Sequence, residues 1–258
     1  MIQQKTPVMR IVLVHGFPGF GVVNLGAVEI EYFRDVARLL TGLGFDVIIP
    51  TMDPLGTVEK RAEQLDGQIP PGQRVHIIGH SAGGLDARFL VSPGGRGQAT
   101  RVASITTICT PHRGTPIATV ASKLAGPTLL VLFPQAVEAV KNLTPDDMAA
   151  FNLRVPDATD AGVKYFSYAA DLSLTGLGAL ASFFALPHLF IQSEEGKNDG
   201  WVSVTSAKRG ELKGVLPTDH TGVVGWSFSA PGERPGRSSF EHLALYRRIA
   251  DDLASLPP

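Results

Sequence analysis

Four consecutive apolar residues, Ile11-Val12-Leu13-Val14, lead into a His-Gly turn, and Val75-His76-Ile77-Ile78 leads in the same way into Gly79. Short runs this apolar, without strict alternation, predict strands buried on both faces. Six such runs are predicted as strands: Arg10 to Val14, Phe45 to Ile49, Arg74 to Ile78, Val102 to Ile108, Val163 to Ala169 and Pro187 to Gln192. Helical spacing fills the intervals. Ile30, Phe33, Val36, Ala37 and Leu40 fall on one face of a helix predicted over Glu29 to Leu40. Further helices are predicted over Thr57 to Leu65, Leu85 to Leu90 and Ser239 to Leu253. Strand and helix alternate, which predicts an α/β fold with a mostly parallel central sheet flanked by helices. No internal repeat is visible, and 258 residues suffice for one domain, 1–258.

The rhythm breaks twice. From Pro116 to about Leu153 the chain is helix-prone, apolar and free of strand signals, and a second apolar patch, Leu172 to Leu186, carries Leu177, Leu180, Phe183 and Phe184. Ordinary core helices would explain both. Insertions of this length usually carry function, however, so the reading adopted is a helical cap or lid over the site at about 116–153, with 172–186 as a second candidate part.

Composition narrows the function classes. With 44% hydrophobic residues and a net charge of −1, the chain is neither a disordered segment nor a basic nucleic-acid binder. A single cysteine, Cys109, excludes an internal disulfide, and its apolar surroundings in sequence point to a buried, inert thiol. The opening Met1-Ile2-Gln3-Gln4-Lys5-Thr6-Pro7 lacks the basic and apolar blocks of a signal peptide. The nearest approach to a membrane span, Leu124 to Val140, is broken by Pro127, Pro134 and Glu138. The expectation is a protein without an integral membrane segment, cytoplasmic or exported without a visible N-terminal signal.

The strongest chemical signal is Gly79-His80-Ser81-Ala82-Gly83, a G-x-S-x-G sequence between a predicted strand and a predicted helix. That context places a serine on a sharp turn with its hydroxyl presented to solvent, and the flanking glycines relieve clashes in so tight a bend. The pentapeptide alone also arises by chance, so the flanking elements carry much of the weight. A serine nucleophile needs a base and a group to orient it, in the chain order serine, acid, histidine. After Ser81 come His112, His188, His220 and His242. His220 lies in a turn-rich loop and is preferred. His242 lies in the last predicted helix, and His188 opens a predicted strand. Asp199, in the turn Asn198-Asp199-Gly200, is the preferred acid over Asp171, Glu194 and Glu195, while Asp219 adjoins His220 and would point elsewhere. The oxyanion donors are expected from the N–H groups of Ala82, at a helix N-terminus, and Phe17, in the loop His15-Gly16-Phe17. His15, Gly16 and His80 are read as supporting residues.

Taken together, Val12-Leu13-Val14-His15-Gly16-Phe17, Gly79-His80-Ser81-Ala82-Gly83-Gly84 and Thr110-Pro111-His112-Arg113-Gly114-Thr115 resemble the N-terminal motifs of the bacterial true lipases of the Pseudomonas, Burkholderia and Proteus type. Leu143-Thr144-Pro145-Asp146-Asp147-Met148-Ala149-Ala150-Phe151-Asn152 resembles the segment that ends their lid region, and Asn198-Asp199-Gly200 with Asp219-His220 resembles their acid and base motifs. The resemblance implies an α/β-hydrolase fold, a Ser81-Asp199-His220 triad and a Phe17/Ala82 oxyanion hole. It also implies hydrolysis of carboxylic esters, acylglycerols above all, at a lid and in contact with a lipid–water interface. Two features depart from the family. Gly222 stands where members commonly carry an aspartate that helps to hold a structural Ca²⁺, and the disulfide of many secreted members is excluded. No metal or other cofactor is therefore expected, and an esterase for shorter acyl chains fits these losses. Acyl transfer, thioester cleavage and polyester cleavage would use the same residues. A non-catalytic binding protein on the same scaffold is the remaining alternative, although such proteins usually lose a triad member.

Overall fold

The computed structural model describes residues 8–17, 22–25, 28–124, 134–172, 184–227 and 236–256. Six strands form one sheet: β1 (Arg10–Val14), β4 (Asp46–Ile48), β5 (Val75–His80), β6 (Val102–Ile108), β7 (Lys164–Ala170) and β8 (Glu211–Leu216). The order is β4-β1-β5-β6-β7-β8, and every neighbouring pair is parallel. Two short antiparallel pairs stand apart from it, β2 (Val22–Leu25) with β3 (Val28–Glu31), and β9 (Trp226–Ser227) with β10 (Gly236–Arg237).

Alternate side chains of each strand enter two cores, one on each face of the sheet. Ile11, Leu13, Ile78 and Ile108 pack with Val36 and Leu40 of α1 (Val36–Gly42) and with Leu245, Tyr246 and Ile249 of the last helix, His242–Ala254. Val12, Val14, Ile77 and Ile105 pack with Leu65 of α2 (Val58–Gln68) and with Ala87, Leu90 and Val91 of α3 (Gly83–Val91). Burial on both faces is the reason that these strands read as continuous apolar runs.

Chain order positions the site. After β1 the chain crosses to β4 on one side, then returns to β5 on the other side of β1. The crevice between β1 and β5 at their carboxyl ends is a topological switch point, where open α/β sheets bind ligands. The register there pairs Val14 with Gly79, and on the far side of β5 it pairs His80 with Ile108. One or two residues onward, this register brings Gly16 and Cys109 to the two sides of Ser81.

Three expectations need correction. Pro187 to Gln192 is not a strand but lies within the helix Ala185–Glu195. Its buried positions, Phe184, His188 and Ile191, recur every three or four residues while Leu186 and Leu189 face out, and a proline is tolerated in a first turn. The sixth strand is instead Glu211–Leu216, whose polar, partly exposed sequence is that of a sheet edge. The helix predicted over Glu29 to Leu40 is divided: β3 ends at Glu31, Asp35 adopts a left-handed conformation with φ 60°, and α1 begins only at Val36. The last helix also starts later than predicted, at His242.

Between β6 and β7 the described residues form the helices Pro116–Leu124, Pro134–Lys141 and Pro145–Arg154. Most of the second apolar patch, including Leu177, Leu180 and Phe183, lies outside the described residues. Among the described residues no helix is long and apolar enough to cross a membrane.

Candidate active site

Ser81 follows β5 directly and has φ 54°, a left-handed conformation that costs a non-glycine residue on the order of 1–3 kcal/mol. The strained turn is held by its own backbone. Ser81 N–H donates to the Ile108 carbonyl at 2.9 Å, and its carbonyl accepts from Gly84 N–H at 3.1 Å. The turn also needs room. A Cβ on Gly83 would lie 2.3 Å from the Val14 carbonyl oxygen, so α3 can pack against the end of β1 only with glycine there. A Cβ on Gly16 would lie 2.7 Å from Ser81 Cβ and 2.7 Å from the Tyr32 hydroxyl.

The loop after β8 carries His220, and the turn after the helix Ala185–Glu195 carries Asp199. The structure brings both to Ser81. The serine hydroxyl donates to His220 Nε2 at 3.0 Å, and His220 Nδ1–H donates to Asp199 Oδ2 at 2.8 Å. The other carboxylate oxygen accepts from the N–H groups of Trp201 at 2.8 Å and Val202 at 2.7 Å. His220 N–H donates to the Asp199 carbonyl at 2.9 Å, which ties the two loops together. Asp199 is fully buried, and Ser81 and His220 are only 5% and 4% exposed. Since an ionised carboxylate can only accept, this arrangement leaves Nε2 as the acceptor facing the serine.

The rival residues are placed elsewhere. His112 bonds Thr107 Oγ1 at 3.0 Å, and burial, then the nearby guanidinium of Arg88, holds its pKa well below the usual value. His188 pairs with Asn198 at 2.9 Å, and His242 Nε2–H donates to the Arg34 carbonyl at 2.9 Å. Glu194 is exposed and Glu195 partly so, on the helix Ala185–Glu195. Asp171 is buried, 3.8 Å from the Lys197 ammonium. Asp219 caps its own loop, accepting from Thr221 N–H at 2.9 Å and Gly222 N–H at 2.7 Å.

Ala82 lies at the N-terminal end of α3, and Phe17 lies half-buried after His15 and Gly16. Among the described residues no acceptor engages either N–H. Burial, then Arg61, lowers the His15 pKa to about 4, so its neutral ring donates from Nδ1 to the Gly16 carbonyl at 2.9 Å. His80 is neutral too, its pKa held well below the usual value by burial and then by His220. It donates from Nε2 to the His220 carbonyl at 2.9 Å and accepts from the Tyr32 hydroxyl at 2.8 Å.

Several parts of the site are not legible in the sequence. Arg61 of α2, fully buried, pairs with Asp86 of α3 at 2.8 Å and also donates to the His15 carbonyl, so the loop after β1 is clamped to the helix after Ser81. Burial pushes Asp86 up to about 6 against the pull of Arg61. Trp201 stacks on His220 with ring centroids 5.6 Å apart and planes 26° apart. Cys109 is buried as expected, but one residue beyond β6 at φ 52°, beside the acid. Burial and then the Asp199 carboxylate hold its thiol protonated.

Among the described residues, Cys109, Asp199 and His220 form the one grouping compact enough for a metal. Within it, His220 Nδ1 and Asp199 Oδ2 are already committed to each other at 2.8 Å. Where the resembled family carries an aspartate, Gly222 offers no carboxylate, and a Cβ there would lie 2.0 Å from Thr218 Oγ1.

No protein-family model matches the chain. It is 29% identical over 251 residues to triacylglycerol lipase 2 of Saccharomyces cerevisiae, covering 88% of this chain and 74% of that protein. It is 28% identical over 264 residues to the triacylglycerol lipase of Pseudomonas fragi, covering 83% and 87%. The crystal structure of the mature lipase BlEst2 of Bacillus licheniformis superposes with a TM-score of 0.69 over 87% of this chain and 90% of that one, at 20% identity. Sheet order and these relationships give the chain the α/β-hydrolase fold and a sequence likeness to triacylglycerol lipases of yeast and bacteria.

Proposed function

We propose that the protein is a serine hydrolase that cleaves the carboxylic ester bonds of acylglycerols or related lipophilic esters. One observation carries the reading: an unbroken, buried hydrogen-bond chain from Ser81 through His220 to Asp199, at 3.0 and 2.8 Å. Ser81 Oγ attacks the ester carbonyl as His220 Nε2 takes its proton, and Asp199 stabilises the imidazolium. The oxyanion is met by the N–H groups of Ala82 and Phe17, where a single donor contributes roughly 2.7–4 kcal/mol. The imidazolium then protonates the leaving alcohol, and water, activated by the same ring, releases the acid from the acyl-enzyme. His15, Gly16 and His80 support these groups.

A lipophilic substrate is favoured by the cover next to the site. The helices Pro116–Leu124 and Ala185–Glu195 touch each other and expose Val120, Leu124, Leu186, Leu189 and Phe190. In this reading they belong to the cap and meet the acyl chains or a lipid–water interface. Met148 and Phe151 of Pro145–Arg154, at the end of the stretch read as the cap, pack with Leu85 of α3 and Val58 of α2.

Ser81→Ala tests the assignment. It should abolish hydrolysis of p-nitrophenyl esters and of an emulsified triglyceride, and stop stoichiometric labelling by a serine-reactive phosphonate, with folding intact. Ester turnover retained by the folded variant would refute the mechanism.

A further inference from the structure

Trp201 touches both the acid and the base. Its N–H donates to Asp199 Oδ1 at 2.8 Å, and its carbonyl accepts from Thr115 Oγ1 at 2.6 Å, so its backbone is fixed at both ends. From that anchor the indole stacks on the His220 imidazole, with planes 26° apart and centroids 5.6 Å apart. Phe184 meets the indole edge-on at 6.0 Å and limits its rotation. His80 also borders the imidazole, with ring centroids 4.7 Å apart. A cation within about 6 Å of an indole face is attracted by the ring quadrupole, and tryptophan provides the strongest such face. A neutral imidazole feels little of this attraction, which develops when the ring takes a second proton, as it does from the serine during attack.

We propose that Trp201 is a positioning residue for acyl transfer: its indole face stabilises the His220 imidazolium as it forms and holds the ring where it reaches both Ser81 and Asp199. The proposal rests on the triad reading above. The other groups facing His220 are accounted for. Asp199 bonds Nδ1, His80 is neutral and bonds the His220 carbonyl, Cys109 is a protonated thiol, and Asp219 is turned into its own loop. Of the two rings beside the imidazole, His80 is tilted by 45° and the indole by only 26°.

The test is a ¹⁵N-histidine NMR titration of His220 in the wild type, Trp201→Phe and Trp201→Leu, with kcat measured on the same proteins. Leucine keeps an apolar cover and the backbone bonds but removes the π face. The His220 pKa should fall by about 0.4–1.5 in the Leu variant and by less in the Phe variant, equivalent to a roughly 2- to 30-fold less stable imidazolium. The acid limb of kcat/KM should move to lower pH, and kcat should drop in the same order. A folded Leu variant whose His220 titrates as in the wild type, or at higher pH, would overturn the proposal by making the indole a mere wall or a desolvating cover. Should the Leu variant not fold, Trp201→Met removes the π face with a more adaptable filler and is judged by the same criterion. The titration needs no substrate, so it tests the role of the indole even if the chain hydrolyses no ester. Failure of the triad reading would register separately, as absent phosphonate labelling of Ser81.

Discussion

Replacing Asp199 with asparagine changes one side-chain oxygen to NH₂, and the structure dictates which way the amide must face. The wild-type carboxylate accepts from Trp201 N–H and Val202 N–H on Oδ1, at 2.8 and 2.7 Å, and from His220 Nδ1–H on Oδ2, at 2.8 Å. If the asparagine carbonyl keeps the two backbone donors, its NH₂ points at Nδ1. The imidazole must then carry its proton on Nε2, facing Ser81, where it cannot accept the hydroxyl proton. The opposite rotamer turns NH₂ toward two buried N–H groups and leaves both unsatisfied, at about 1–3 kcal/mol each. The unproductive tautomer is therefore favoured by at least about 2 kcal/mol, roughly 30-fold. The residual productive fraction also lacks the negative charge that stabilises the imidazolium, so kcat should fall by about 10⁴-fold, as it does in a serine protease with the same change. KM should change little, since no atom that binds the ester has moved. The assay is steady-state hydrolysis of a soluble p-nitrophenyl ester, normalised to folded protein by circular dichroism. A folded variant that keeps more than about a tenth of wild-type kcat would show that the tautomer argument, or the choice of acid, is wrong.

Two further changes separate packing from chemistry. Gly16→Ala places a Cβ 2.7 Å from Ser81 Cβ, and should cost roughly 1–3 kcal/mol of stability while slowing phosphonate labelling of Ser81; unchanged labelling would mean that the loop after β1 yields freely. His76, bonded to Ser104 at 2.8 Å and remote in the fold from the carboxyl ends of the strands, has its pKa lowered to about 4, chiefly by burial. The unfolded chain takes up this proton near pH 6.5 and the folded chain only near 4, so stability is present above 6.5 and is lost as pH falls through that window. The loss approaches roughly 3 kcal/mol at pH 4. Urea unfolding at pH 7 and 4.5 should show a smaller acid loss in His76→Gln than in the wild type, and equal losses would refute this.

Local pattern is enough for the central strands, because Arg10–Val14, Val75–His80 and Val102–Ile108 are buried on both faces and so carry apolar residues at most positions. It is enough also for the tight turn at Ser81, because only glycine fits beside it at position 83. The edge strand Glu211–Leu216 carries no such mark, because a half-exposed strand can be as polar as a loop, and Ala185–Glu195 reads as a strand because a short apolar run does not reveal its period. The three residues at positions 81, 199 and 220 can be selected from the sequence by type, order and turn context. Their meeting at 3.0 and 2.8 Å depends on sheet order, which brings together the carboxyl ends of neighbouring strands, and on the hydrogen bonds that tie the loops bearing Asp199 and His220. The Arg61–Asp86 clamp and the indole of Trp201 on the His220 ring belong wholly to the tertiary structure. Nothing in a linear pattern marks a buried ion pair between two helices or a ring stacked across two loops, since both arise from packing between segments that the chain keeps far apart.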